Sequence, residues 1–395
     1  MEDQAVKYFR EYLRIPSVHP DIDYSKCVEF LKRLAKENGL ECNVFGKPGK
    51  PIVILTWTGS DRNLGSILLN SHMDVVPVYK ERWIYDPFEA VKDDQGNIYG
   101  RGAQDTKCTG VQHVAAIRRL MDKGVKLKRT VHVSFVPDEE IGGVEGFGYF
   151  VQTDDFRKLN IAFEIDEGCA TPNDELAVYN AERTSHKIKI HCKGPTGHGS
   201  LLHLNTAGEK VQKVLAAMMD FRQTQVLKME NASDELAQLA EVTSINLTEV
   251  EGGIQNNVVP PEIILGFDVR LSVNEDHDKF FEWIENVCKD AGEGVYCEYV
   301  VKSPKIPKTI LDSSNKFWVA MKNAIDKMNM KVKVISCFGT TDARYLRQIG
   351  IDAIGFSPMR LTPILLHADN EMLNERTFLE GIDVYSEVIR AVANV

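Results

Sequence analysis

The stretch NSHMDVVPV, residues 70–78, sets His72, one spacer and Asp74 at the end of an apolar run. Four more stretches share that character. PDEEIGG carries Glu139 and Glu140 behind the apolar TVHVSFVP, and EIDEG carries Asp166 and Glu167 behind IAFEI; RGAQDTK carries Asp105 and PILLHADNE carries His367. Imidazoles and carboxylates are the ligands of hydrolytic metal centres. A dinuclear centre needs a few of them, one carboxylate able to bridge, an open position for water and further acids that orient the imidazoles. An HxD or a glutamate pair alone is commonplace. Five such positions, each at a strand end or a helix start, make a constellation.

Local geometry assigns parts. Adjacent residues of an extended chain point opposite ways, so one of Glu139 and Glu140 can bind metal while the other stands over the attacking water as general base. Gly142 and Gly143 then let the chain turn away sharply. The two-residue period sets His72 and Asp74 on one side if the strand continues, where Asp74 can fix the imidazole from behind. His19, His113, His132, His186, His191, His203 and His277 have no comparable setting and read as packed or surface residues.

The elements that must position these groups follow from periodicity. Residues 51–57, 66–71, 130–137 and 161–165 are short apolar strands alternating with helical stretches, as in a mostly parallel sheet covered by helices on both faces. Between two strands, TKCTGVQHVAAIRRLMDKG has a helical apolar stripe that Gly124 can end, with Asp105 just before it. From Thr184 the order becomes strand, helix, two strands, helix, strand, the β-α-β-β-α-β unit of a ferredoxin-like domain. The linker-like SPKIPK at 303–308 follows. The expected organisation is α/β: a catalytic domain of residues 1–183 and 303–395 with residues 184–302 inserted as a second domain.

Composition narrows the partners. A net charge of -10 with no Lys/Arg stripe speaks against nucleic acid and favours small-molecule chemistry. No uninterrupted apolar run approaches the roughly 20 residues that cross a bilayer. The N-terminal MEDQAVKYFREYLRIPS lacks a signal peptide's apolar core, so a cytoplasmic location is expected. Eight cysteines without a CxxC pair read as free thiols, which leaves any metal to histidines and carboxylates.

In order and across nearly the whole chain, HMDVVPV, GRGAQDTK, PDEEIGG, DEG, GHGS, NNVVPP and the tail GFSPM to TPILLH resemble the zinc peptidase and deacylase family. That family includes acetylornithine deacetylase, succinyl-diaminopimelate desuccinylase and carnosinase, and the resemblance is strongest to its aminoacylase branch. It implies two zinc ions per subunit, one on His72 and Glu167, the other on Glu140 and His367, with Asp105 bridging. Asp166 is the alternative to Glu167 at DEG. The resemblance further implies Glu139 as general base, Asp74 as partner of His72, and hydrolysis of N-acyl-L-amino acids to a carboxylic acid and a free L-amino acid. A dipeptidase or carboxypeptidase would share every metal ligand; a metal-holding protein without catalysis is the alternative from another class. Arg270 and Asn257, with Thr341 of FGTTDARY, are candidates for the product carboxylate. The inserted domain is expected to form a homodimer and to send His198 of GHGS into the partner's site as an oxyanion stabiliser.

Overall fold

The computed structural model describes residues 2–231 and 241–395. Contacts divide the chain into two compact units, Met1–Asn180 with Pro307–Val334 and Thr341–Val395, and Ala181–Ile306 with Ile335–Thr340. The passage back to the first unit falls inside SPKIPK.

An eight-stranded sheet organises the first unit. Its strands lie in the order Glu41–Lys47, Lys50–Trp57, Val131–Val136, Ser66–His72, Ile161–Asp166, Asp352–Phe356, Glu175–Glu182 and Lys331–Cys337. The third to sixth run parallel to one another. Three outer pairings, 41–47 with 50–57, 50–57 with 131–136 and 352–356 with 175–182, are antiparallel. Four parallel strands end along one edge, so the loops after His72, Val136, Asp166 and Phe356 leave the sheet together.

Strand alternation sorts side chains to two faces. Val53, Leu55, Ile67, Leu69, Val131, Val133 and Phe135 pack with the helices Gln4–Leu13, Ser25–Asn38, Lys107–Asp122, Lys316–Lys327 and Glu375–Val392. Their neighbours Ile52, Ile54, Leu68 and Val136 face Phe147, Phe150, Phe156, Ala343 and Leu346 on the other side. The helix Lys107–Asp122 lies close against its strands at Gly110, where a Cβ would sit 2.4 Å from the Phe135 ring and 2.6 Å from Ser71 Oγ. A side chain there would push the helix start, and Asp105 before it, away from His72.

The second unit has the β-α-β-β-α-β order expected from the sequence. Its antiparallel sheet runs Ser244–Gly252, Glu262–Leu271, Thr184–Lys193, Val295–Lys302. Ile188, Ile190, Leu265, Phe267 and Val269 point to helices Ala207–Glu230 and His277–Ala291 through Val214, Met218, Phe280 and Ile284. Thr206 and Glu209 form a capping box that starts the first helix. A short ribbon of Gly197–His198 with Val258–Val259 was not legible in the strand pattern.

The core of the first unit has a built-in acid sensitivity. His113 is fully buried against the edge of Tyr385, ring centroids 4.4 Å apart, and neither ring nitrogen has a hydrogen-bond partner among the described residues. Burial pushes its imidazole down to about 3, against about 6.5 in an unfolded chain. Below about 6.5 the unfolded state takes up a proton that the native state refuses, so this share of stability is whole above that pH and is lost progressively toward 3. His113→Phe should therefore flatten the fall of the urea midpoint between pH 7 and 5, measured for both proteins in a chelator. His132 and His186, each pushed by burial down to about 4, leave a residual slope. Identical midpoint changes in parent and variant would refute the assignment.

Candidate metal centre and active site

His72 closes its strand, and the chain bends at Met73, so Asp74 does not continue the extended geometry. The bend changes which part of Asp74 meets the ring. His72 Nδ1 donates to the Asp74 backbone carbonyl at 2.9 Å, while the nearer carboxylate oxygen is 3.7 Å away. This fixes the ring and leaves Nε2 to face the cluster. The Asp74 carboxylate instead accepts from the backbone N–H groups of Glu139 (3.2 Å) and Glu140 (3.0 Å), and it pairs with His19 Nε2 at 2.8 Å. Asp74 thus holds the glutamate turn as well as the histidine. His19, read from the sequence as a bystander, is part of that arrangement.

Glu139 and Glu140 do not extend their strand either. They lie in a 3-10 turn, Glu139–Ile141, between Asp138 at φ 65° and Gly142 at φ 100°. Both side chains nevertheless reach one cluster. His72 Nε2 lies 3.0 Å from Asp105 Oδ1, 3.4 Å from Glu167 Oε2 and 4.0 Å from Glu139 Oε2. His367 Nε2 lies 3.0 Å from Glu140 Oε2 and 3.2 Å from Asp105 Oδ2. Two ligand groups result, His72 with Asp105 and Glu167, and Asp105 with Glu140 and His367; within each, the donor atoms lie within 4.8 Å of one another. Asp105 belongs to both and gives a different oxygen to each histidine.

The two acids of DEG differ in their hydrogen bonding. Asp166 Oδ1 accepts from Asn70 Nδ2 (3.0 Å) and the Glu167 N–H (2.9 Å), and Oδ2 accepts from the Ala343 N–H at 2.7 Å. Its lone pairs are committed to backbone and amide, whereas Glu167 turns to His72.

Electrostatics shows what the cluster lacks. Burial drives the Glu139 carboxyl well above the usual carboxylate range, with the Glu167 charge adding to it. Burial also lifts Glu167 to about 7 although His72 opposes the rise. For Asp105 burial acts upward too, but hydrogen bonds from His367 and His72 prevail and hold it below the usual range. Hydrogen bonds that His367 donates to Asp105 and Glu140 raise its own imidazole to about 10. Among the described residues, Glu140 Oε1 and both oxygens of Asp342 are buried without a hydrogen-bond partner. Acceptors outnumber donors in a poorly solvated place, and two divalent cations answer that imbalance. His and carboxylate ligands suit zinc, cobalt or manganese.

Asp342 escaped the sequence reading, which took only Thr341 from the same loop. Like Asp105 it is an acid directly before a helix, here Ala343–Gln348, and that was the available signal. It is fully buried, and burial with the neighbouring Asp166 charge keeps its carboxyl well above the ordinary range against the pull of Arg344. A Cβ on Gly143 would lie 2.4 Å from its Oδ1, so that turn admits only glycine. The Thr341 carbonyl accepts from Arg344 Nη1 at 3.0 Å.

The remaining predicted residues belong to the second unit. His198 is exposed on the short ribbon, its Nδ1 accepting from the Ser200 N–H at 3.2 Å and lying 2.8 Å from Ser200 Oγ. Asn257 is its neighbour: the Gly199 N–H donates to the Asn257 carbonyl at 2.8 Å, and Val258 pairs with His198. Arg270 lies on the strand Glu262–Leu271, with Nε and Nη2 on the Asp268 carboxylate at 2.8 and 3.2 Å. Any substrate carboxylate must compete with that aspartate.

Comparison with known proteins follows this geometry. The chain is 43% identical over 395 residues to aminoacylase-1 of Sus scrofa, covering 100% of this chain and 96% of that one. Aminoacylase-1 of Dictyostelium discoideum is 41% identical over 404 residues, covering 100% and 98%. Among solved structures, a dinuclear metal-binding M20 peptidase of Bacillus subtilis shares the fold at a TM-score of 0.68 with 16% identity, covering 99% of this chain and 98% of that one. The model of peptidase family M20/M25/M40 matches residues 68–391, a span that contains His72, Asp105, Glu139, Glu140, Glu167 and His367. By that match and by the full-length likeness to aminoacylase-1, the chain belongs to the peptidase family M20/M25/M40.

Proposed function

We propose that the chain hydrolyses N-acyl-L-amino acids, using two zinc ions held by His72, Asp105 and Glu167 and by Asp105, Glu140 and His367. The observation that carries this is the pair of ligand groups sharing Asp105 beside Glu139, in a chain 43% identical to an aminoacylase-1 along its whole length. Bound there, such ions supply Lewis acidity toward the amide carbonyl and acidify water. The chain's own residues handle the proton. Glu139, whose Oε2 lies 4.0 Å from His72 Nε2 and beside both ligand groups, takes a proton from the attacking water and hands it to the amine nitrogen as the amide C–N bond breaks. Asp74 holds Glu139 by its backbone N–H and His72 by its ring N–H, so base and ligand are aligned by one residue.

In the same reading, Arg270, Asn257 and Thr341 bind the substrate's carboxylate, with the guanidinium fork supplying a charge-assisted contact. The second unit makes a homodimer, and the partner subunit's His198 stabilises the oxyanion. The protein works in the cytoplasm, where its eight cysteine thiols stay reduced. Among the described residues no helix is long and apolar enough to cross a membrane.

Glu139→Gln should lower kcat for an N-acetyl amino acid by roughly a hundred- to ten-thousandfold while elemental analysis still finds two metal ions per subunit. Glu140→Ala and His367→Ala should each lose one ion, and Asp105→Ala should disturb both. Loss of metal from Glu139→Gln would make it a ligand and end its role as base.

Arg270→Ala should raise KM for the free acid by about 1.5 to 3 kcal/mol of binding, on the order of ten- to hundredfold, and leave the corresponding ester nearly unaffected. An equal rise for acid and ester would mark Arg270 as structural, held for its bond to Asp268.

Mixing Glu139→Ala with His198→Ala subunits tests the dimer. A mixed dimer has one site with an intact Glu139 and the partner subunit's His198. With about half of randomly exchanged dimers mixed, activity should return to roughly a quarter of the parent's. Verified mixed dimers as inactive as the separate variants would confine His198 to its own subunit or to no role.

A further inference from the structure

Beneath the ligands lies a buried ion pair that hydrolysis does not require. Arg101 and Glu371 are 2% and 0% exposed, with Nη1 2.8 Å from Oε2. Each is spent on the other's loop. Glu371 accepts the backbone N–H groups of Gly102 (3.0 Å), Gln104 (2.6 Å) and Asp105 (3.2 Å). Arg101 donates to the carbonyls of Ala368 (3.1 Å) and His367 (3.3 Å). The Gln104 side chain adds bonds to the carbonyls of Pro363 (3.0 Å) and Met372 (2.9 Å), and its Oε1 accepts the Leu365 N–H at 3.1 Å.

The residue that most needs such a grip is His367. Its backbone sits at φ 58°, where side chains other than glycine's are uncommon. Its side chain is 55% exposed, so packing does not hold it. A buried ion pair is not in itself a stabilising choice, since apolar residues of similar volume do as well or better. An arginine whose hydrogen bonds end on a ligand's own carbonyl serves geometry.

We propose that Arg101 and Glu371 are positioning residues that clamp the Asp105 and His367 loops together, Glu371 setting the shared ligand and Arg101 setting the second ion's histidine. This rests on the two-ion reading of the site. The two halves of the clamp have different signatures. Arg101→Lys keeps the charge but cannot reach both carbonyls and the carboxylate in one plane. It should weaken the Glu140–His367 ion and spare the His72–Glu167 ion. Glu371→Gln loosens Asp105 and should weaken both. Gln104→Met cuts loop-to-loop bonds without touching a charge and should weaken the second ion alone, by less.

The test is calorimetric titration of chelator-stripped protein with zinc, alongside thermal unfolding of the stripped proteins. The parent should take up two ions. Arg101→Lys should bind the second on the order of ten- to hundredfold more weakly, with the first within about threefold of the parent. Should Arg101→Lys prove unstable when stripped, Gln104→Met gives the same sign in an intact ion pair. Equal weakening of both ions in Arg101→Lys and Gln104→Met, or parental affinity in all three variants, overturns the clamp while leaving the two-ion reading intact. A parent that binds fewer than two ions overturns that reading, and the clamp with it.

Discussion

Asp105 divides its carboxylate between two imidazoles, and much of the surrounding structure serves that division. One oxygen faces His72 at the end of a central strand, the other His367 on a loop more than 250 residues later in the chain. A single carboxylate can satisfy both only if the helix behind it, the strand beside it and the late loop hold still together. Gly110 lets the helix approach the strands. Four parallel strands set three acidic loops along one edge. Asp74 then ties the turn of Glu139 and Glu140 to the histidine that Asp105 faces. Negative charge accumulates there because each of these constraints delivers a carboxylate to the same small volume.

The residues that the structure gathers into the two His and carboxylate groups were legible because each is announced locally. An apolar strand that ends in His or in an acid can be read without knowing its neighbours in space, and so can an aspartate before a helix. Hydrogen-bonding roles were less legible. Asp74 was expected to orient His72 with its carboxylate; a bend at Met73 gives that task to the carbonyl and frees the carboxylate for Glu139, Glu140 and His19. The glutamates were expected to alternate as in a strand, but Asp138 and Gly142 at positive φ fold them into a turn. The Arg101–Glu371 pair left no local signal, since its meaning depends on which loops meet, and Asp342 had only its place before a helix.

The second unit shows the same boundary. Its order of strands and helices follows from periods of two and 3.6 residues, which are properties of short segments. The ribbon that sets His198 beside Asn257 joins residues about 60 positions apart in two-residue strands, too short for any periodicity to register. Arg270 was expected to meet a substrate carboxylate, and its pairing with Asp268 is the ordinary fate of a strand arginine.

His367 joins two demands that no one amino acid meets without conflict. At φ 58° the backbone favours glycine or asparagine, while the chemistry favours imidazole. A residue held in that region typically costs on the order of 1 to 3 kcal/mol. Substitution toward the locally relaxed residue would therefore gain stability as it discarded a donor to the cluster. Selection for robustness alone would erode this position, and a redesign guided only by folding energy would choose it early. In the two-ion reading, the positive φ of His367 marks where stability is given up for a ligand.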